Sequence, residues 1–413
     1  MEETLQPVVL EVWDAPRPDA SGDGFAWIRS RIEEFTEKNP HVTINLVEMS
    51  WHEMVTLLDQ RLMHGGWPDV VPLHASGGGI RFEHMFSGLI EPLDDFLAPG
   101  YADELFPAAR HAFTHEGRLY GLPSSMSLVL LLLNLDIFRE RGVEPPVDGR
   151  WTFEQFSEAC RRLTFSRSTD GAKVYGFSAY IQKGYYELWP FLYMHGARPL
   201  SRDLSVYTFD SAEAVAALQS LVDLKHTLRV TSPEMGTSDH GGIWHAFASP
   251  QERTIAITAW PDWAIRLATE DPRYAMQNIQ VAAYPTGKAS EPVTIGSVHG
   301  WSLLKQTDAA KRKAAVEFMM ALSSSSEQEH FATVHGVLPA SRLVARTAQF
   351  RHPELGRAAE LLEYVELLPV HREWASIESS INMHVQMALL GEKSAHDALR
   401  DARREVEESL SLR

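Results

Sequence analysis

Polar and aromatic side chains follow several predicted strands at the point where each strand ends. Five residues share this position: Asp14, His74, Ser76, Asp262 and Trp263. Carboxylates, imidazoles and hydroxyls form hydrogen bonds, and an indole ring offers a flat apolar face with one N–H donor at its edge. Together these groups are suited to holding a polar small molecule by hydrogen bonding and stacking.

The elements that carry these residues alternate between strand and helix. The N-terminal part predicts strands at Val8–Trp13, Val42–Val47 and Asp69–His74, separated by amphipathic helices at Phe25–Asn39 and Trp51–Met63. Such alternation predicts an open α/β sheet, whose ligands bind outside the carboxyl ends of its strands. The polar residues named above therefore fall where a binding site is expected.

The stretch Tyr120–Phe138 joins a polar segment to an aliphatic one. Gly121, Pro123 and three serines predict an irregular front end. Leu128–Leu133 is an unbroken aliphatic run, too short to cross a membrane and typical of a strand buried on both faces. A polar segment that leads directly into a central strand indicates that the chain passes from one core into another.

Composition limits the classes of function. The chain has 413 residues, 44% of them hydrophobic and 23% charged, which predicts a soluble globular protein of two or three domains. A formal net charge of -17 argues against nucleic acid or an anionic membrane as the partner. The single cysteine, Cys160, provides neither a disulfide nor a thiolate metal site. The 11 tryptophans are the unusual feature, and they favour a site with flat stacking surfaces.

The N-terminus carries no export signal. Met1-Glu-Glu-Thr is acidic and leads directly into the first strand. Either the protein is cytoplasmic, or this sequence begins after an export signal that is removed.

Catalytic and metal motifs are weak. His111 and His115 are predicted one turn apart on a helix, but no third ligand follows at a metal-binding spacing, so a solvent-exposed helix is favoured. The G-x-S-x-G, Walker A and G-x-G-x-x-G motifs are absent. We therefore predict no catalytic residue, no metal and no cofactor. The carboxylate pair of a glycosidase stays open, because its separation is a three-dimensional property.

A series of motifs in the same order resembles the extracellular solute-binding proteins of ABC importers, in the carbohydrate-binding group typified by maltose-binding protein. The matching motifs run almost the full length of the chain: Phe35–Pro40, Gly66–Val71, Gly88–Leu93, Tyr120–Pro123, Asn134–Phe138, Trp151–Phe156 and Gly391–Leu399. Each motif is weak alone, but their order over the whole chain makes the resemblance specific.

The resemblance implies a two-lobe periplasmic-binding-protein fold of class II, with each lobe an open α/β sheet flanked by helices and a ligand cleft between them. The N-terminal lobe is expected at 1–121 plus 293–338, and the C-terminal lobe at 122–292 plus 339–413. Hinge segments are expected near 121–123, 290–293 and 336–339. Closure of the lobes about these segments is the expected response to ligand.

The resemblance also implies site residues in both lobes. Stacking on the flat C–H face of a sugar is expected from the aromatic candidates Trp13, Trp51, Tyr186, Trp189, Trp260, Trp263 and Trp374. Hydrogen bonds to sugar hydroxyls are expected from Asp14, Arg17, His74, Ser76, Ser125, Ser127, Asp262, Ser297, His299 and Arg372. Relatives can carry a carboxylate at the Ser127 position, so its replacement by serine argues against a maltodextrin-type ligand.

The implied function is capture of a sugar or oligosaccharide by lobe closure and delivery to the permease subunits of an ABC importer. A monomer without nucleic acid is expected, located in the periplasm or lipid-anchored on the outer face of the cytoplasmic membrane. Two alternatives remain. One is a polyol or glycerol phosphoester ligand, which requires basic residues such as Arg17 and Arg372. The other is a carbohydrate-active hydrolase with an acidic pair.

Overall fold

The computed structural model describes residues 6–16, 23–74, 88–288, 291–350, 352–369, 371 and 373–411. The chain forms two compact units. The first unit comprises Met1–Ser127 and Ser297–His352, and the second comprises Leu128–Gly296 and Pro353–Arg413. The chain passes between them near 127, 296 and 352, and the hinge positions expected near 121–123, 290–293 and 336–339 remain predictions.

Strands and helices alternate along the chain. The strands are β1 (Val8–Asp14), β2 (Val42–Glu48), β3 (Val70–His74), β4 (Thr114–His115), β5 (Arg118–Leu119), β6 (Leu122–Asn134), β7 (Phe165–Ser166), β8 (Lys173–Ser178), β9 (Ile255–Pro261), β10 (Ile279–Ala282), β11 (Thr294–Leu303), β12 (Leu338–Pro339) and β13 (Val365–Glu366). The helices are α1 (Ala26–Lys38), α2 (Trp51–His64), α3 (Pro107–Ala112), α4 (Leu135–Arg141), α5 (Phe153–Arg162), α6 (Trp189–Tyr193), α7 (Ala212–His226), α8 (His240–Ala248), α9 (Ala264–Glu270), α10 (Ala309–Leu322), α11 (Ser325–His330), α12 (Arg342–Thr347), α13 (Pro353–Glu360), α14 (Trp374–Leu390) and α15 (Ala395–Ser411).

The first unit has a mixed sheet built on three parallel strands. Strand β1 pairs in parallel with β2 and β3, and the end of β11 pairs antiparallel with β3. Leu10 and Val12 on β1 are fully buried, as the apolar run of that strand predicts. Parallel pairing brings the carboxyl ends of β1, β2 and β3 to one edge, the edge expected to carry binding residues.

The second unit has a sheet centred on the aliphatic half of β6. Strand β9 pairs antiparallel with β6 on one side and parallel with β8 on the other, while β10 pairs antiparallel with β6. Leu130–Leu133 are fully buried, which confirms the central strand predicted from the aliphatic run. The parallel pair β8 and β9 gives this unit its own carboxyl edge.

The polar front of β6 differs from the prediction. The sequence predicts an irregular segment, but the chain is extended from Leu122 onwards, and Ser125 and Met126 pair with β12. Gly121 is required for packing here, because a Cβ on it would lie 2.5 Å from Cδ1 of Phe113. Strand β11 is likewise continuous, although Gly296, Ser297, His299 and Gly300 predict an interruption in this segment of the sequence. Pairing with neighbouring strands outweighs the local effect of Gly and Pro at both places.

His111 and His115 do not share a helix. Helix α3 ends at Ala112, and His115 lies in the short strand β4, which pairs with β5 through a turn at Glu116 and Gly117. The spacing predicted one continuous helix, but the positive φ angles of both turn residues reverse the chain. The one-turn spacing needed for a metal pair is therefore lost.

Thr152 and Gln155 have the spacing of a capping box, which predicts a helix start at Thr152, and the structure of α5 confirms it. Thr152 Oγ1 accepts from the backbone N–H of Gln155 at 3.2 Å, and the Gln155 side chain accepts from the backbone N–H of Thr152 at 2.9 Å. Thr152→Ala is expected to lower the free energy of unfolding by about 1 kcal/mol, because the backbone N–H of Gln155 loses its hydrogen-bond acceptor at the helix start. Urea denaturation measures this loss. Thr36→Ala is the control, because the Thr36 hydroxyl donates to carbonyls inside α1 and caps no N–H group. This change should leave the free energy of unfolding unaltered. Equal effects of the two changes would contradict the capping role.

None of the helices described is long and apolar enough to span a membrane.

Candidate functional site

The carboxyl edge of the second unit gathers aromatic residues from separate elements. Strand β8 ends two residues before Tyr180, and the parallel strand β9 carries Trp260 near its end. Because β8 and β9 run in the same direction, both residues reach the same edge of the sheet. Trp263 follows in the turn that begins α9, and helix α8 adds two more rings.

Six rings make continuous contact at this edge, and we call them the aromatic patch. Its members are Tyr180, Tyr185, His240, Trp244, Trp260 and Trp263. Trp260 lies at the centre, with ring centroids 4.7 Å from Trp244, 5.3 Å from Tyr180 and 5.7 Å from Trp263. Tyr185 and His240 stack almost parallel, with centroids 5.6 Å apart and planes inclined by 13°.

The aromatic patch has a buried base and an accessible face. Trp260 and Trp244 are 2% and 4% exposed, whereas Trp263 is 48% exposed. Tyr185 is half-buried, and His240 is exposed. The indole N–H groups of Trp260 and Trp244 are buried without a hydrogen-bond partner among the residues described. The exposed rings can therefore stack on a ligand, and the buried indoles set their positions.

Asp262 braces this edge of the sheet. Its side chain is 3% exposed, and Oδ1 accepts from the backbone N–H of Leu128 at 3.0 Å. The backbone N–H of Asp262 in turn donates to the carbonyl of Leu128 at 2.9 Å. This pair of bonds fixes the turn between Trp260 and Trp263. Asp262 therefore has a structural role in addition to its predicted contact with ligand.

A second aromatic cluster contains three other predicted stacking residues. Trp189 is 1% exposed and packs against Tyr186, Phe209 and Trp374, and its indole N–H donates to Asn382 Oδ1 at 3.0 Å. That environment is typical of a core residue. Tyr186 and Trp374 are partly buried against the same core.

A buried acid holds the loop that carries the two tyrosines of this region. Glu378 on α14 is 3% exposed and accepts three hydrogen bonds: from the backbone N–H of Gly184 at 2.6 Å, the hydroxyl of Tyr186 at 3.1 Å and the amide of Asn382 at 3.0 Å. These bonds satisfy the carboxylate and anchor the loop at Gly184 and Tyr186. Tyr185, which lies between them, is thereby positioned in the aromatic patch.

Glu187 is a second buried acid in the same loop. It is 2% exposed, and its Oε1 accepts from the hydroxyl of Tyr180 at 2.6 Å. Burial raises the pKa of the Glu187 carboxyl to about 7, although the hydrogen bond from Tyr180 acts in the opposite direction. Burial, followed by the nearby Glu187 charge, raises the pKa of Tyr180, so that Tyr180 remains a hydroxyl donor.

The first unit places the remaining predicted residues at its own carboxyl edge. Asp14 is fully buried at the end of β1, and Trp13 is 1% exposed with its N–H bonded to Glu11 Oε1 at 2.8 Å. Trp13 therefore has a core environment. On β11, the hydroxyl of Ser297 lies 3.3 Å from Nε2 of His299. Register places His299 opposite His74 of β3.

The two serines of β6 differ in accessibility. Ser125 is 8% exposed and lies in the part of the strand paired with β12, whereas Ser127 is half-buried. Arg17, Ser76 and Arg372 lie outside the described residues, and only the backbone is described at Trp51 and His74. The predicted contacts of these seven residues with ligand remain predictions.

In the part of the chain that is described, no group of three or more His, Cys, Asp or Glu residues could hold a metal ion. Cys160 is buried, and burial raises the pKa of its thiol well above the usual value, so the thiolate is disfavoured.

Sequence reasoning did not select Tyr185, His240 or Trp244 for the site. Their elements are far apart in the chain, and no local pattern shows that α8 packs on the end of β9. The available signal is Asp239-His240-Gly241-Gly242, in which Asp239 caps α8 and places an imidazole in its first turn. Helix starts beside sheet ends are typical positions for binding residues.

Comparison with known proteins agrees with this architecture. A Brucella abortus protein, named only as a binding protein, is 21% identical over 377 residues, which cover 89% of this chain and 86% of that protein. The arabinooligosaccharide-binding protein of Bacillus subtilis is 22% identical over 243 residues, which cover 56% of this chain and 51% of that protein. The crystal structure of the cyclic alpha-maltosyl-1,6-maltose binding protein from Arthrobacter globiformis superposes with a TM-score of 0.80 at 19% identity, over 97% of this chain and 98% of that one.

These likenesses show the two-lobe α/β fold of periplasmic binding proteins, as the resemblance implied. The model of the bacterial extracellular solute-binding protein family matches residues 30–356. The chain belongs to this family.

Proposed function

We propose that the protein captures a sugar or oligosaccharide outside the cytoplasmic membrane and delivers it, chemically unchanged, to the permease subunits of an ABC importer. The aromatic patch is the observation that carries this proposal. It presents stacked and exposed rings at the carboxyl edge of a sheet. Sugars offer flat C–H faces to such rings.

The relatives support this choice of ligand class. One curated relative is named for binding arabinooligosaccharides, and structural neighbours are named for cyclic or linear oligosaccharides of maltose type. Ser127, at a position where relatives can carry a carboxylate, favours a ligand other than a linear maltodextrin. We expect each protein molecule to act as a monomer that binds one ligand.

An uncharged ligand is favoured over a phosphoester. The aromatic patch presents ring faces that suit the apolar C–H face of a sugar, whereas a phosphate needs charged or multiple N–H donors. A hydrolase with an acidic pair is disfavoured by the two buried acids of this region: Glu187 is bonded to Tyr180, and Glu378 is satisfied by three donors.

A thermal-shift screen over mono- and oligosaccharides tests the proposal. The panel includes arabinotriose, maltotriose and a cyclic tetrasaccharide, with glycerol 3-phosphate and a polyol as ligands of the alternative class. One oligosaccharide is expected to raise the Tm saturably and to be recovered intact by chromatography. A response to the phosphoester alone would contradict the sugar assignment, and loss of the sugar with release of smaller sugars would indicate a hydrolase.

Trp263→Ala is expected to weaken binding of the selected sugar by at least about 1 kcal/mol, roughly a fivefold rise in Kd, because an exposed stacking ring is lost. Isothermal titration calorimetry measures the change. Trp67→Ala is the matched control, since Trp67 is a half-buried tryptophan of the first unit outside the site prediction, and it should leave Kd unaltered. Equal affinity of wild type and Trp263→Ala would remove Trp263 from the binding surface.

A further inference from the structure

Three polar groups of the aromatic patch are withdrawn from its accessible face. The hydroxyl of Tyr180 donates to Glu187 Oε1 at 2.6 Å, and the tyrosine is 1% exposed. The indole N–H groups of Trp244 and Trp260 are buried. Trp263 is exposed, but an indole is a donor only. Ring faces alone distinguish poorly between sugars that differ in one hydroxyl, so selection among sugars requires a further polar group that the ligand can reach.

His240 provides such a group. This residue is exposed, and its ring stacks on Tyr185 with centroids 5.6 Å apart and planes inclined by 13°. Because stacking holds the plane of the imidazole, its two nitrogens lie at a defined edge. A neutral imidazole offers one donor and one acceptor, and a sugar hydroxyl can both donate and accept.

Two anchors hold this stacked pair against the rest of the aromatic patch. His240 and Trp244 are four residues apart on α8, so they lie on the same face of the helix. Trp244 is 4% exposed and packs on Trp260 with centroids 4.7 Å apart, which fixes that face at the end of β9. On the other side, Glu378 accepts from the backbone N–H of the residue before Tyr185 at 2.6 Å. The imidazole is therefore held in place before a ligand arrives, and a hydrogen bond to it costs little additional ordering.

We propose that His240 is a specificity-determining residue, whose imidazole edge forms a hydrogen bond with one hydroxyl of the sugar that stacks on Trp263. The proposal rests on the proposed function, because it needs a sugar in the aromatic patch. His240 and Trp263 both contact the ring of Trp260, with centroids 6.5 Å and 5.7 Å away, so one oligosaccharide can reach both. A sugar that lacks the hydroxyl facing the imidazole binds more weakly.

A cycle of protein and sugar changes tests this contact. The probe is the member of the panel that raises the Tm (arabinotriose, maltotriose or the cyclic tetrasaccharide), with its monodeoxy derivatives, each of which lacks one hydroxyl. One derivative is expected to bind the wild type about fivefold more weakly, which corresponds to one hydrogen bond between uncharged groups. His240→Phe keeps an aromatic ring and removes both nitrogens. It should bind the parent sugar about fivefold more weakly than the wild type does, but should bind that derivative as the wild type does.

The Kd values from isothermal titration calorimetry decide the outcome. Unaltered affinity of His240→Phe for the parent sugar, or a loss of affinity that is the same for the parent and for every derivative, would overturn the proposal. Tyr185→Phe removes the hydroxyl of the neighbouring ring and serves as the competing assignment. If the selective loss occurred in Tyr185→Phe and not in His240→Phe, the contact would belong to Tyr185 and the proposal would be wrong.

His245→Phe is the matched control. His245 is an exposed histidine on the same helix, but its Nδ1 lies 2.9 Å from Glu252 Oε1, and five residues of helix place it about 140° around the axis from His240. The change should leave the affinity for the parent sugar and for each derivative unaltered. A loss equal to that of His240→Phe would show that any change in α8 lowers affinity, and would overturn the proposal.

Nitrogen-15 NMR of protein labelled at histidine observes the contact directly, and the spectrum of His240→Gln assigns the resonances. On saturation with the parent sugar, the ring nitrogens of His240 are expected to shift, and those of His245 are not. The derivative that lacks the recognised hydroxyl should give a smaller shift at His240. Sugar binding with the His240 resonances unmoved would overturn the proposal even if His240→Phe failed to fold.

The same data separate this proposal from the proposed function. Absence of binding by every sugar in the screen would refute both. Sugar binding by His240→Phe at the wild-type affinity would refute the role of His240 alone.

Discussion

Trp189→Ala is expected to lower the free energy of unfolding by about 3–5 kcal/mol. Trp189 is 1% exposed, and its ring packs against Tyr186, Phe209 and Trp374. Truncation leaves a large cavity and also leaves the amide of Asn382 without the indole N–H that it accepts at 3.0 Å. Urea denaturation followed by far-ultraviolet circular dichroism measures the loss.

Trp263→Ala is the matched control for this change. It is the same substitution in the same unit, but Trp263 is 48% exposed, so the expected loss of stability is below about 1 kcal/mol. The two tryptophans therefore have opposite profiles: Trp189 affects stability, and Trp263 affects affinity. If Trp189→Ala instead lowered stability only slightly and abolished sugar binding, Trp189 would be a ligand contact and not a core residue.

A rise in pH from about 5 to about 8 is expected to destabilise the wild type relative to Glu187→Gln by about 2–3 kcal/mol. Burial raises the pKa of Glu187 from 4.5 to about 7. Between those two values the folded state holds a proton that the unfolded state has released, so stability falls as the pH rises. The contribution is fully present below about pH 4.5 and is lost as the pH passes about 7.

The measurement is the difference in unfolding free energy between the two proteins at a series of pH values. Other titrating groups are common to both, so their effects cancel in the difference. Stability curves that run parallel from about pH 5 to about pH 8 would show that the Glu187 carboxyl titrates as it does in the unfolded chain.

Local signals in the sequence were sufficient to predict the positions of many helices and strands. The Thr152 box placed the start of α5, and the aliphatic run Leu128–Leu133 identified the buried centre of a sheet. In both places the decisive interactions lie within a few residues, as helix caps and apolar runs do. The order of short motifs also predicted the family, which the family model confirms.

Interactions between segments that are distant in the chain could not be predicted from the sequence. Leu122–Ser127 was predicted irregular because of Gly121 and Pro123, but β12, more than 200 residues later, pairs with it and extends it. Trp189 and Trp263 looked equivalent as stacking candidates, and only packing reveals that one is in the core and the other exposed. Burial of an aromatic ring is set by tertiary neighbours, not by residue type.

The position of the candidate site follows from a general rule, whereas several of its members do not. The rule that ligands bind at the carboxyl ends of strands directs attention to the end of β9, where Trp260 and Trp263 lie in the aromatic patch. It could not provide Tyr185 and His240, whose stacking depends on how α8 and the loop anchored by Glu378 meet. Glu187 was missed for the same reason, since its importance comes from burial and from Tyr180.

Fluorine NMR of protein labelled with 5-fluorotryptophan tests the central claim, that the aromatic patch binds the sugar, most directly. The 11 tryptophans give separate probes, and the resonances of Trp263, Trp260 and Trp189 are assigned from the spectra of single Trp→Phe variants. During titration with the selected oligosaccharide, the Trp263 and Trp260 resonances are expected to shift saturably with the calorimetric Kd, and the shift of Trp263 should be the largest. Saturable binding of the sugar with both resonances unmoved would contradict the account.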